Sequence, residues 1–104
     1  MPRYRRGRGR CPRWVARLPY ADFFKPAGIP LMNLEITTLL IEEFEALRLV
    51  DSEGLEQSEA ARRMGVSTKT LWNDLKSARK KIADALAYGQ GIQIQGGSYR
   101  IQKE

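Results

Sequence analysis

A chain of 104 residues with a net charge of +6, 42% apolar and 29% charged, is one small domain with room for a modest core, and its apolar content excludes disorder throughout. No apolar run exceeds a few residues, so no membrane span is expected. One cysteine, Cys11, and no histidine exclude an intrachain disulfide, a conventional zinc site and the commonest general base; no metal or other cofactor and no enzymatic activity are expected.

The charge is segregated. Residues 1–30 set eight Lys/Arg against Asp22, residues 31–60 set Arg48 against eight acids, and residues 61–104 set nine Lys/Arg against three acids. Such blocks build a local positive field whose natural partners are polyanions, nucleic acid before membrane, since no basic helix has a broad apolar face free to insert. The first seventeen residues hold seven arginines and no acid. Trp14-Val15-Ala16 is cut short by Arg17, too brief for a signal-peptide core, which points to the cytoplasm. Residues 1–13 read as a flexible basic arm, because Gly7-Arg8-Gly9-Arg10 cannot hold a helix. Its Arg5, Arg6, Arg8 and Arg10 are candidate contacts to phosphates or a minor groove.

Residues 14–104 read as a single domain. Prolines between Pro19 and Pro30 deny a regular helix, while Tyr20, Phe23 and Phe24 need burial, so an ordered loop packed over the core is expected. β-branched residues at 36–39 suggest a short strand. From Ile41 the apolar residues Ile41, Phe44, Leu47 and Val50 recur at helical intervals, predicting a helix over 41–52 that stops before a left-handed Gly54. Glu42, Glu43, Glu45, Asp51 and Glu53 read as dipole partners and solvated face rather than catalytic carboxylates.

Residues 57–76 carry the most information. Ala60 and Ala61 are small enough for a helix crossing, Gly65 tolerates positive φ, Val66 plugs the gap, Ser67 caps a second helix, and Leu71 and Leu75 face inward. Helices at about 57–64 and 68–88 with this turn predict a mainly α, tri-helical helix-turn-helix core. A second helix lying in the major groove would present Thr68, Lys69, Trp72, Asn73 and Lys76 outward. Asn73 suits adenine, Lys69 or Lys76 suits guanine or phosphate, and Ser67, Thr68 and Thr70 lie where a phosphate meets free N–H groups. Trp72 reads equally well as a base or sugar contact and as core. Asp74 is expected to pair locally with a lysine, and Arg79 and Lys80 to grip the flanking backbone.

At the C-terminal end, Ile92-Gln93-Ile94-Gln95, Gly96-Gly97 and Tyr99-Arg100-Ile101-Gln102 predict a short β-hairpin over about 91–102. A hairpin alone is marginal, so strand 36–39, the stretch near Trp14-Val15 or a second subunit should cover it. A homodimer through the hairpin would suit two DNA half-sites.

Glu43-Phe44-Glu45-Ala46-Leu47-Arg48-Leu49, Glu53-Gly54-Leu55, Glu59-Ala60-Ala61, Met64-Gly65-Val66-Ser67 and Ser77-Ala78-Arg79-Lys80-Lys81-Ile82-Ala83-Asp84-Ala85-Leu86 resemble a sigma-factor region 4 type of helix-turn-helix. With Phe24-Lys25-Pro26-Ala27-Gly28-Ile29-Pro30 and Ile94-Gln95-Gly96-Gly97-Ser98-Tyr99, the chain more closely resembles a small uncharacterised prokaryotic family of predicted DNA-binding proteins. Two departures stand out: Leu40 where a threonine cap is usual, and Lys69-Thr70-Leu71-Trp72 in place of an arginine-containing start to the second helix. The resemblance implies a DNA-binding protein rather than an enzyme. The expected function is sequence-specific binding of double-stranded DNA in transcriptional regulation. An RNA- or ribosome-associated basic protein and a region-4-like protein adaptor are the alternatives.

Overall fold

The structure is a computed structural model in which residues 12–102 are described; the proposed arm contacts Arg5, Arg6, Arg8 and Arg10 lie outside them. Helix α1 (Ile41–Leu47) starts without a capping hydroxyl. Leu40 cannot accept a hydrogen bond through its side chain, but its N–H donates to Glu43 Oε1 at 2.9 Å. This half of a capping box is enough to begin the helix. At Arg48 the helix widens into a π turn that runs to Ser52, where a continuous α-helix over 41–52 was expected. The wide turn seats Arg48 between Glu45, at 2.9 Å to each carboxylate oxygen, and Glu53.

Helix α2 (Gln57–Met64) ends at Gly65, whose φ is +70°. The Gly65 N–H donates to Arg62 O and that of Val66 to Ala61 O, satisfying carbonyls the helix end would otherwise leave bare. Helix α3 (Thr68–Tyr88) begins on Ser67, whose hydroxyl accepts the Thr70 N–H, and ends at Gly89 with φ +67°. Its first half packs Leu71 and Leu75 against Ala60, Ala61 and Met64 of α2 and Ala46 and Leu49 of the α1 region. Both leucines are wholly buried, each contributing about 1.5–3 kcal/mol by removal from water. Its second half packs Ala78 and Ile82 on Val15, Leu39, Ile41 and Ile94.

Among the described residues five short strands complete a mainly α fold: β1 (Arg13–Val15), β2 (Phe23–Phe24), β3 (Ile36–Leu39), β4 (Gly91–Ile94) and β5 (Tyr99–Ile101). Here the expected hairpin fails. β4 lies between β3, to which it is parallel, and β2, to which it is antiparallel, whereas β5 pairs in parallel with β1. Both edges of β4 are taken, and that buries Ile94, which an isolated hairpin would leave wet. Both stretches expected to cover the hairpin do supply strands, but to different halves of it. Gly96 and Gly97 have positive φ, yet they carry the chain from one sheet to the other. A dimer built on a protruding hairpin therefore has no hairpin to use.

Two further expectations change. The aromatics of residues 19–30 are not all buried: Tyr20 is 91% exposed, under the Arg17 guanidinium at 4.6 Å, and Phe24 is exposed. Nor are the first glutamates of α1 a solvated face. Glu42, Glu43 and Glu45 are all buried and act as acceptors for distant segments: Glu42 Oε1 takes the Ser98 N–H, Glu45 Oε2 takes the Ala16 N–H, and Glu43 takes Ser77 Oγ–H and Lys81. These carboxylates tie the β1–β5 sheet and α3 to α1.

Candidate nucleic-acid interface

At 100° per residue, Lys69, Asn73, Lys76 and Lys80 fall within roughly 60° of one another on α3, opposite the Leu71/Leu75 face. Thr68, Lys69, Asn73 and Lys76 are all exposed. Ser67 Oγ accepts the Thr70 N–H at 3.0 Å and donates to Thr70 Oγ1 at 3.1 Å, so the cap occupies both residues and leaves the Thr68 and Lys69 N–H groups at the helix tip. Trp72 is divided between its two readings: it is 38% exposed, with Arg79 Cζ 6.0 Å from its ring.

Ion pairing divides the cations of α3 into two sets. Arg79 is held in a two-pronged pair by Asp51, at 3.0 and 2.7 Å. Lys80 meets Asp84 at 2.5 Å and Lys81 meets Glu43 at 2.7 Å. Among the described residues, Lys69 and Lys76 have no ion pair and Asn73 no side-chain hydrogen bond. On α2, Arg62 and Arg63 both bind Glu59, and the hydrogen bond from Arg62, then that from Arg63, draws the Glu59 carboxyl down to about 2. The Arg79 guanidinium likewise lowers Asp51. Positive charge is thus balanced nearly everywhere on α2 and α3 except at the outer, amino-terminal half of α3.

Asp74 was expected to pair locally with a lysine; instead it faces inward. Arg13 Nε and Nη2 lie 3.0 and 3.3 Å from its two oxygens, and both side chains are buried. Arg13 therefore belongs to β1 rather than to a mobile arm, and it is held by the α3 residue that follows Asn73. Trp14, next along β1, lies against the turn: a Cβ on Gly65 would sit 3.0 Å from Trp14 Cδ1. Gly65 thus serves twice, for its φ and for its lack of a side chain. Neither contact has a periodic sequence signal. The one signal that could have found the buried partner is an acid at an inward position of α3, between Leu71 and Leu75.

Burial pushes the Glu43 carboxyl up, but Lys81, Ser77 and the Leu40 N–H outweigh it and hold the group below its ordinary 4.5. A carboxyl lowered on folding contributes stability above its unfolded value and loses it as pH falls through the folded one. Stability should therefore fall as pH drops below 4.5. Glu43→Gln should be less stable than wild type at neutral pH and should show a shallower decline below that value in acid titrations followed by circular dichroism. Parallel declines would contradict this role.

Comparison with known proteins adds the family. The one described as "Protein of unknown function DUF134" matches residues 1–102. The chain belongs to this family. Its members span archaea and bacteria. A UPF0251 protein of Methanosarcina acetivorans is 55% identical over 94 residues, covering 90% of this chain and 84% of that one. A UPF0251 protein of the bacterium Caldanaerobacter subterraneus is 51% identical over 92 residues, 88% of this chain and 78% of its own. A third, from Methanocella arvoryzae, is 55% identical over 87 residues, but this chain spans only 52% of its length. No solved structure matches the chain. Among the described residues no helix is long and apolar enough to cross a membrane.

Proposed function

We propose that α2, the turn at Gly65 and α3 form a helix-turn-helix that binds double-stranded DNA sequence-specifically, and that the protein is a cytoplasmic transcriptional regulator rather than an enzyme. One observation carries the reading: Lys69 and Lys76, alone among the cations of α3, are exposed without an ion pair among the described residues, and they flank Asn73 on one stripe. A solvated structural face has no reason to pair the cations of its distal half and leave the proximal ones open, whereas a helix entering a major groove needs its amino-terminal donors unoccupied. In this reading Asn73 reads adenine, Lys69 and Lys76 reach guanine or phosphate, Thr68 and the helix tip hold a phosphate, and Trp72 stacks on a sugar or thymine methyl. Arg79 and Lys80, held by Asp51 and Asp84, add a weaker contact to the flanking backbone. Arg5, Arg6, Arg8 and Arg10 supply phosphate or minor-groove contacts from the arm rooted at Arg13.

The test begins with selection of bound fragments from a random DNA pool. On the selected site, Lys69→Ala and Asn73→Ala should each lose about 1–3 kcal/mol of binding, with little change on random duplex. Removing residues 1–12 should weaken both and flatten the salt dependence. Equal losses on selected and random DNA for Asn73→Ala would show that this residue does not read bases.

A further inference from the structure

The molecule has several strand edges, and they are not alike. β2 is two residues long and runs into Lys25-Pro26. β1 carries Arg13 and follows Pro12, and β5 carries Arg100. Short length, charge and proline are the usual guards of an edge against pairing with another chain. β3 is the least guarded: its four residues Ile36-Thr37-Thr38-Leu39 are β-branched or apolar and uncharged, with a single charge, Glu35, just before them. It is nevertheless a terminal strand, paired only with β4 among the described residues. Glu35 O and Leu39 O accept the N–H groups of Gly91 and Gln95, so in a parallel ladder the odd-numbered residues bond to β4. Ile36 and Thr38 then aim their N–H and C=O groups away from the sheet. Both are exposed, as are Leu31 and Met32 in the turn that leads to the strand, at 58% and 89%.

We propose that the outer edge of β3 is the interface of a symmetric homodimer, in which two copies pair antiparallel about Thr37 and extend the three-stranded sheet to six. A second copy is the occupant because this edge is complementary to itself. With Thr37 on the two-fold axis, Ile36 stands opposite Thr38 of the other copy, and each pair exchanges both of its outward groups. Charge points the same way. Two molecules of +6 repel, but residues 26–41 contain one charged residue, Glu35. In this register Glu35 faces position 39 of the other copy instead of its own like charge. A strand of a different protein would have no reason to fit so neutral a segment of so charged a chain. Two α3 helices related by a two-fold axis would follow, through residues other than those assigned to DNA.

Sedimentation equilibrium of the full chain without DNA tests this independently of nucleic-acid binding. Wild type should run at twice the 11.9 kDa chain mass at micromolar concentration. Thr38→Pro removes one outward N–H from each copy without touching the β4 ladder, and should raise the dimer dissociation constant on the order of tenfold or more. Ile36→Lys places a guard on the edge and should do the same. Circular dichroism must show both variants folded, and if the proline variant is not, Ile36→Lys decides. A monomeric wild type up to about 100 times that concentration, or a dimer untouched by the folded variants, would overturn the interface. A dimer that fails to bind DNA would leave it standing and sink only the functional reading.

Discussion

Asp74→Ala should destabilise the protein by about 3–5 kcal/mol in urea denaturation, because it removes the buried carboxylate that holds a buried guanidinium in a two-pronged pair. Arg13 and Asp74 are 5% and 3% exposed, so little water is available to replace the lost partner. The paired change Arg13→Met with Asp74→Leu should restore much of the loss, since removing both charges also removes their desolvation cost. Asp74 adjoins Asn73, and its pair with Arg13 fixes the start of β1 against α3. A loss below about 1 kcal/mol would show that the pair is open to solvent.

Gly97→Ala should be nearly as damaging, at about 3 kcal/mol or more. Gly97 has φ +99°, and a Cβ there would fall 2.0 Å from Glu42 Oε1 and 3.2 Å from Leu40 Cβ. The alanine must strain the backbone and push away a buried carboxylate that receives the Ser98 N–H. Gly96→Ala is the control. Its φ is +76°, but its Cβ would meet only Leu40 Cδ2 at 3.9 Å, leaving the conformational penalty of about 1 kcal/mol. Equal midpoints for the two variants in thermal melts would show that the Glu42 contact contributes nothing.

These two sites also mark where reading the sequence stops being sufficient. Helices α2 and α3 were legible because their signals are local: Gly65 and Gly89 at the ends, Ser67 at the cap, and Leu71 and Leu75 one turn apart. The outward placement of Lys69, Asn73 and Lys76 follows from the same periodicity. Strand 36–39 was legible from its β-branched residues. By contrast, Glu42 and Glu45 look like helix surface until Ser98 and Ala16, 56 and 29 residues away, bring them N–H groups to accept. Gly96-Gly97 carries the signature of a tight turn, and that signature cannot tell a hairpin from a crossover between sheets. The alternation of β4 and β5 was read correctly as strand but not as to partner, since pairing depends on which edges other segments have already filled. Arg13 sat at the end of an arginine-rich run and was indistinguishable from its neighbours until a buried acid selected it. The π turn after α1 inserts one residue into a helical register and leaves no trace in the apolar pattern.

Presentation of the amino-terminal half of α3 to a DNA duplex is open to a direct competition titration. A labelled selected duplex would be displaced by unlabelled random duplex or by folded RNA across a range of salt concentrations. The selected duplex should bind tightest, random duplex should compete weakly with a steep salt dependence, and folded RNA should compete no better than random duplex. Preferential displacement by RNA, or an affinity for duplex that salt does not change, would contradict it.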